Sequence, residues 1–281
     1  MTLRERIGFT TLAAATGALV LLVFALLTYI VSGGASVLSW EFLSQSPRAG
    51  MTEGGIFPAL LGTFLLTILT AVSSVPVGIA AAIYLVEYAR EGTFIRLVRL
   101  SIRNLSGVPS VVYGLFGVGL FVHALDLGIS ILASGLTLGL LTLPTTITAS
   151  EEALKAVPRS YRDGALALGA TRWEAIQTNV LPAAAPGILT GVILGLSRAA
   201  GETAPILFTG VAFSLPKLPT GLGDQFMALP YHLYILSTQH HDIVRVRPIA
   251  FATATVLIGL VAVLNLTATY LRARARSRMH A

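Results

Sequence analysis

The stretch Ala183-Ala-Ala-Pro-Gly-Ile-Leu-Thr-Gly-Val-Ile-Leu-Gly-Leu-Ser-Arg-Ala-Ala-Gly-Glu-Thr-Ala-Pro-Ile-Leu-Phe-Thr-Gly-Val-Ala-Phe213 decides how the chain is read, because its only charged side chains are Arg198 and Glu202. At about 1.5 Å per residue it is long enough to cross a hydrocarbon core of roughly 30 Å. A charge at the centre of such a helix costs about 2.5–3.5 kcal/mol on insertion scales. An i, i+4 ion pair on an exposed helix returns only about 0.2–0.5 kcal/mol. Bracing a helix does not offset that cost, so the pair is expected to serve a function.

Helical phase places the pair. At about 100° per residue, with Gly187 at zero, Gly191 falls near 40°, Gly195 near 80°, Arg198 near 20° and Glu202 near 60°. Small residues four apart let helices approach closely in lipid. Gly187, Gly191 and Gly195 are therefore predicted to face protein, with both charges pointing into the bundle. Thr203, Thr209 and the backbone around Gly201 and Pro205 are secondary candidates. Pro205 removes a backbone donor and either lines a pathway or kinks the helix.

The rest of the chain agrees with a membrane setting. Its 281 residues are 54% hydrophobic and 11% charged, with a mean hydropathy of +0.80, which excludes an ordinary soluble domain. Six apolar segments are predicted to span: Leu12–Val31, Phe57–Val86, Leu105–Ala124, Ile131–Ala149, Ala183–Phe213 and Pro248–Leu271. The first follows Arg4 and Arg6 as a secretory signal would, but its apolar run exceeds the roughly 7–15 residues of a signal core, so a retained helix is expected. The fold class is all-α and polytopic, a single domain over 1–281. Cysteine is absent, which excludes disulfides and thiolate chemistry.

The net charge of +6 could suggest a nucleic-acid partner, but its distribution points to the bilayer. With the N-terminus inside, fourteen of the nineteen Lys and Arg fall on inner segments. These are Arg4 and Arg6, then Arg90 to Arg103, Lys155 to Arg172, and Arg272, Arg274, Arg276 and Arg278. Arg48, Lys217, Arg245 and Arg247 fall outside. That excess is the positive-inside pattern, so both termini are predicted cytoplasmic, with the basic tail at a lipid surface.

Two polar excursions look too long for plain connections, a cytoplasmic one over 150–182 and an external one over 214–247, with a shorter external loop over 33–56. In the first, Ser160 with Asp163 and Thr171 with Glu174 fit capping boxes, and Gly169 lies where a helix could end in a left-handed turn. Two short helices joined at Gly169 are predicted. Trp173, Ile176 and Val180 form an apolar face on the second, suited to the membrane domain or a partner.

The run Asp163-Gly-Ala-Leu-Ala-Leu-Gly169, nine residues, then Asn179-Val-Leu-Pro182 resembles the cytoplasmic coupling loop of ABC importer permeases. That family's pattern is Glu-Ala-Ala, three residues, Gly, nine residues, Ile, any residue, Leu-Pro. Ala165, Gly169, Leu181 and Pro182 keep the spacing, while Asp163, Gly164 and Asn179 depart from it. Asn104-Leu-Ser-Gly-Val-Pro-Ser-Val-Val-Tyr-Gly-Leu-Phe116 and Ser197-Arg-Ala-Ala-Gly-Glu-Thr-Ala-Pro-Ile-Leu-Phe-Thr209 are similar to signatures of phosphate-specific importer membrane subunits. The second, with Met227-Ala-Leu-Pro230, resembles the A-type permease. The resemblance runs from about Leu38 to Leu271.

It implies a type I ABC importer permease fold in a bacterial inner membrane, and a subunit that transports but is not itself an enzyme. The implied partners are a homologous C-type permease, two cytoplasmic ATPase subunits and an external phosphate-binding protein. Asp163, Gly164, Ala165, Gly169, Leu181 and Pro182 would couple to the ATPase, and Arg198, Glu202 and Thr203 would line the pathway. Arg suits phosphate because its planar fork donates two parallel hydrogen bonds at any physiological pH. Glu202 would partly neutralise it when no anion is bound. Many members have Arg where this chain has Thr148, so a second cation is missing or comes from the partner permease. No cofactor is expected here, and with no Gly-x-x-x-x-Gly-Lys-Ser/Thr loop in the sequence, ATP would be used by a partner. Sulfate or molybdate as cargo, or a proton-coupled transporter with Glu202 titrating, are the alternatives.

Other polar residues read more plainly. Pro109, Ser110 and Tyr113 either bend a helix and fill its interior or line a pathway. His240, His241 and Asp242 lack a completing ligand set and read as a solvated loop, against a metal site. Asn265 reads as a helix–helix hydrogen bond.

Overall fold

The computed structural model describes residues 3–215 and 217–279, without the side chains of Leu3 and residues 275–279. Pro216 of the second excursion and the side chains of Arg276 and Arg278 lie outside the described residues. Among the described residues five helices are long and apolar enough to cross a membrane, and a sixth crossing results if one sharply bent pair counts as a span. By contacts the chain divides into two compact units, one formed by residues 1–57 and 233–258, the other by 58–232 and 259–281.

In the first unit, helix α1 (Leu3–Gly34) exposes its apolar side chains almost throughout, Leu12, Leu21 and Phe24 among them. Its end is held. Tyr29 meets Phe251 edge-on with ring centres 5.3 Å apart, and Arg247 donates to the Tyr29 hydroxyl at 2.7 Å. A short helix α2 (Trp40–Ser44), N-capped by Ser39, precedes a two-stranded hairpin of β1 (Pro47–Arg48) and β2 (Glu53–Gly54), antiparallel with Pro47 opposite Gly54. Its turn carries three successive left-handed residues, Ala49, Gly50 and Met51, a conformation that costs non-glycine residues energy and needs outside support. His240 supplies it. Its Nδ1 accepts from the Asp242 amide at 3.1 Å, which leaves Nε2 to donate to the Gly50 carbonyl at 2.7 Å. The expectation of a solvated loop is corrected for His240, which is buried; His241 is exposed. Among the described residues no cluster could hold a metal ion.

The second unit is built around helix α6 (Ile131–Lys155), started by Ser130, whose side chain caps the Ala133 amide. Packed with it are α3 (Phe57–Ile83), which ends in a wide π turn at Tyr84–Tyr88, α5 (Ser110–Gly117), running on as a π segment to Ala124, and α9 (Leu181–Ala200). One apolar cluster joins Leu66, Tyr113, Leu138, Ile206 and Phe226; another joins Ile83, Leu154, Ile176, Val180 and Ile188. Buried Thr63, Thr70, Ser74, Thr142 and Thr146 each donate to the carbonyl four residues back, so these hydroxyls are satisfied within apolar surroundings.

Three boundaries differ from the sequence expectation. The third span does not start at Leu105: helix α4 (Thr93–Leu105) ends there, and the chain turns by 103° before continuing through Ser110–Ala124. Pro109 has no amide to continue α4 and biases Val108 away from helical backbone. The fifth span starts earlier, at Arg172, and stops at Ala200. The second excursion is not all loop, since Phe226, Met227, Ala228 and Leu229 are fully buried. There the Thr63 hydroxyl accepts from the Leu229 amide at 2.8 Å, and Gly62 leaves room for the Met227 carbonyl, which any Cβ at that position would strike.

His232, on α11 (Leu229–Thr238), is also buried, and burial pulls its pKa down from 6.5 to about 4. The unfolded chain thus binds a proton that the folded chain refuses between these values. Stability is full above about pH 6.5 and falls as pH drops towards 4, by roughly 3 kcal/mol in total. Unfolding of detergent-solubilised protein should show this acid limb, and a His232→Gln variant should lack it.

Candidate functional site

Arg198 sits in the last turn of α9, whose C-cap is Gly201. A cation there is favoured by the carbonyl end of the helix dipole. The helix stops before Glu202, and a new short helix α10 (Ala204–Thr209) begins after Thr203. The Arg198–Glu202 pair therefore bridges a helix break, which corrects the expectation of one continuous helix through both residues. Arg198 Nε lies 3.3 Å from Glu202 Oε1, with the Arg198 side chain 57% exposed and Glu202 18% exposed. Among the described residues the other guanidinium nitrogens of Arg198 make no hydrogen bond. The result is a fork with its two Nη groups open, held at its base by a carboxylate, an arrangement suited to an oxyanion.

The neighbours of the pair fall into two groups. Ser197, one residue before it, donates to Asn265 at 2.9 Å, the helix–helix bond expected of Asn265. Thr203 is half-buried at the start of α10 and makes no capping bond. Thr209 is different: it is fully buried, donates to the Pro205 carbonyl and pairs with Ser134 at 3.0 Å. Its hydroxyl is committed to packing, which corrects its reading as a pathway candidate. Pro205 lies in the first turn of α10, where no helical amide is lost, so it starts a helix and kinks none.

The glycine stripe divides. A Cβ at Gly187 would meet Ala153 at 2.8 Å, and one at Gly191 would collide with Ala149, both on α6, whereas one at Gly195 would have nothing within 4 Å. Close approach is therefore built in the N-terminal part of α9 and is released towards Arg198.

In the excursion over 150–182, helix α7 (Ser160–Ala167) carries Asp163, Gly164 and Ala165. Gly169 ends it with φ +86°, and the Ala170 amide closes on the Ala165 carbonyl at 3.1 Å, as a left-handed C-terminal turn requires. Only the second capping box forms: Thr171 and Glu174 cap α8 (Arg172–Ala175) reciprocally, while Ser160 lies inside α7 and Arg159 precedes it without a side-chain cap. Nor is the second helix separate, since α8 runs through a π segment, Ile176–Val180, into Leu181, Pro182 and the rest of α9. Ile176 and Val180 are buried, and Trp173 and Leu168 are exposed, Leu168 at 91%. The loop thus presents an apolar tip.

Beneath that tip is an ion pair that the sequence did not suggest. Arg162 of α7 contacts Glu87, in the π turn ending α3, with Nη2 to Oε1 at 2.6 Å and Nε to Oε1 at 2.9 Å. The signal available was a single carboxylate at the end of the second apolar segment and an arginine 75 positions later, with no periodicity to connect them. The two line a cavity of about 450 Å³ that also holds Arg99, Lys155 and Arg172. Thr148 lines a second one of about 150 Å³ beside Arg99, Arg103 and Lys155, where Glu151 and Glu152 supply counter-charge.

Residues 74–277 match the family described as binding-protein-dependent transport system inner membrane component. The phosphate transport system permease protein PstA 1 of Mycobacterium tuberculosis is 35% identical over 97% of this chain and 90% of its own length. The probable ABC transporter permease protein YqgI of Bacillus subtilis is 32% identical over 94% of this chain and 92% of its own. Among solved structures, the native crystal form of the inward-facing MetNI methionine ABC transporter superposes with a TM-score of 0.63 over 78% of this chain and 97% of its own, at 15% identity, a likeness of fold.

Proposed function

We propose, from the premise that this chain belongs to the family of binding-protein-dependent transport system inner membrane components, that it is the membrane-spanning permease subunit of an ATP-driven phosphate importer. Relatives that are phosphate permeases, alike over nearly the whole chain, support the cargo. The site observation that carries the reading is the open guanidinium fork of Arg198 at a helix break, anchored by Glu202. Phosphate would dock on that fork, with Thr203 beside it. A weak site is what transport needs, since the ion must enter and also leave.

In this reading both termini face the cytoplasm and the chain lies in the inner membrane. A second, homologous permease completes the pathway and supplies what Thr148 does not. Of the two ATPase subunits in the assembly, one docks on Asp163 to Gly169 and the exposed Leu168 and Trp173, with Leu181 and Pro182 at the foot of α9. A phosphate-binding protein docks outside on residues 36–55 and 214–247. ATP is used by the ATPase partners, and this chain needs no cofactor. Alternating access exposes Arg198 to one side and then the other.

Uptake of radiolabelled phosphate into proteoliposomes holding the complete complex tests the reading. The expected result is uptake that requires ATP, survives collapse of the proton gradient and resists excess sulfate or molybdate. Uptake that needs no ATP and fails with the gradient would instead make Glu202 a titrating group in a secondary transporter. Equal competition by sulfate would make the cargo a different oxyanion.

A further inference from the structure

We propose that Arg162 is the positioning residue through which movement of the coupling loop enters the membrane-spanning core, with Glu87 as its seat. The proposal rests on the reading of α7 and α8 as the ATPase coupling loop.

Helix α7 has no buried residue, so apolar packing does not fix it to the core. Beside its packing on α8 and the following π segment, α7 is tied to the core by Arg162, whose side chain is only 19% exposed against a Glu87 side chain at 6%. The guanidinium uses all three nitrogens. Nε donates to both Glu87 oxygens, at 2.9 and 3.2 Å, and Nη2 donates to Oε1 at 2.6 Å. Nη1 also donates to the Val157 carbonyl at 3.0 Å, and Nη2 to the Leu154 carbonyl at 3.0 Å. Those carbonyls belong to the last turn of α6 and the residues just after it, where a cation completes the unpaired end of the helix. One planar group therefore joins α7, the π turn of α3 and the end of α6. Lysine has the charge for this but not the fork.

The contacts continue inward. Helix α6 presents Ala149 and Ala153 to Gly191 and Gly187 of α9, and α9 ends at Arg198 and Gly201. A push on the exposed Leu168 tip reaches the break that holds Arg198 along α8 and its π segment into α9, and Arg162 adds a second route from α7 through α6, by helices in close contact. Arg99 braces the same π turn from α4, donating to the Leu85 carbonyl at 2.9 Å and lying 2.9 Å from Glu151, but among the described residues it makes no hydrogen bond or ion pair to α7 or α8. Arg172 adds a stacking contact on Tyr88, 5.2 Å from the ring centre, at an exposed position. π turns are frequent at functional sites, and this one lies where three helices are tied together.

A purely structural Arg162 would lower assembly, hydrolysis and uptake together. A coupling Arg162 changes the phosphate moved per ATP hydrolysed. The complete complex in proteoliposomes gives both rates in one preparation. Arg162→Lys and Glu87→Gln are expected to lower that ratio about tenfold while assembly and basal hydrolysis stay near wild type. The chain has no cysteine, so a Glu87→Cys, Arg162→Cys pair can be bridged with a short bis-methanethiosulfonate, each thiolate forming a disulfide as methanesulfinate leaves, and bridging should restore the ratio. An unchanged ratio, a proportional fall in both rates, or a bridged pair that assembles but stays uncoupled overturns the proposal. Should the single variants fail to assemble, the bridged pair decides by the same criterion. Leu168→Asp separates the underlying reading: if the ATPase still binds this variant normally, the coupling-loop assignment falls and takes the proposal with it. If ATPase binding is lost but the Arg162→Lys ratio is normal, the proposal alone falls.

Discussion

Arg198→Gln is expected to cut phosphate uptake about a hundredfold in a complex that still assembles. Truncating one partner of a buried hydrogen-bonded charge pair, which the Arg198–phosphate contact becomes when the pathway closes on the ion, costs about 2–5 kcal/mol, and roughly 2.7 kcal/mol corresponds to a hundredfold. Glutamine keeps part of the length and one donor group, but neither the charge nor the two parallel N–H bonds that a phosphate takes from arginine. Folding should be spared, because the side chain is 57% exposed and its hydrogen-bonded partner among the described residues is Glu202. Glu202→Gln should act more mildly, since it removes the counter-charge and leaves the fork. Uptake at saturating binding protein, with size-exclusion chromatography as the assembly control, separates the two effects. Wild-type uptake by assembled Arg198→Gln complex would remove Arg198 from the pathway.

Gly191→Val is the second large effect, and it acts on the fold. Even a Cβ at this position collides with Ala149 of α6, and both helices belong to one closely packed unit. Overpacking of this kind costs about 1–3 kcal/mol, and more where the opposing atoms cannot move. The variant is expected to lose several degrees of thermal stability in detergent and to assemble poorly. Gly195→Ala, only four residues on, should be neutral, because nothing lies within 4 Å of the added atom. Ala149→Gly should partly rescue Gly191→Val. Equal effects at 191 and 195 would mean that the close contact between α6 and α9 is not what the stripe provides.

The two glycines also show what a sequence of this kind reveals. Phase along the helix sets Gly187 and Gly191 on one face, because a regular helix makes position a function of residue number alone, and a Cβ at each would meet Ala153 and Ala149 of α6. It did not foresee that α9 ends at Ala200, so a charge pair assigned to one helical face lies across a break. Apolar length located five spans because hydrocarbon thickness sets their minimum. The bend before Pro109 was harder to see, as Leu105 and Val108 are as apolar as the segment they precede. Burial of Phe226 to Leu229 depends on the notch at Gly62 and the hydroxyl of Thr63, contacts between distant parts of the chain that leave no local pattern. The Arg162–Glu87 pair is invisible for the same reason. Its partners meet only once α3, α6 and α7 have packed.

The central claim is that Arg198 belongs to a phosphate pathway whose opening is tied to ATP hydrolysis elsewhere in the assembly. ATP hydrolysis by the purified complex in lipid nanodiscs, measured with the binding protein empty, loaded with phosphate or loaded with sulfate, tests it most directly. The account predicts hydrolysis raised severalfold by the phosphate-loaded protein alone, with the stimulation lost in Arg198→Gln. Hydrolysis indifferent to the loaded protein, or stimulated equally in wild type and Arg198→Gln, would contradict it.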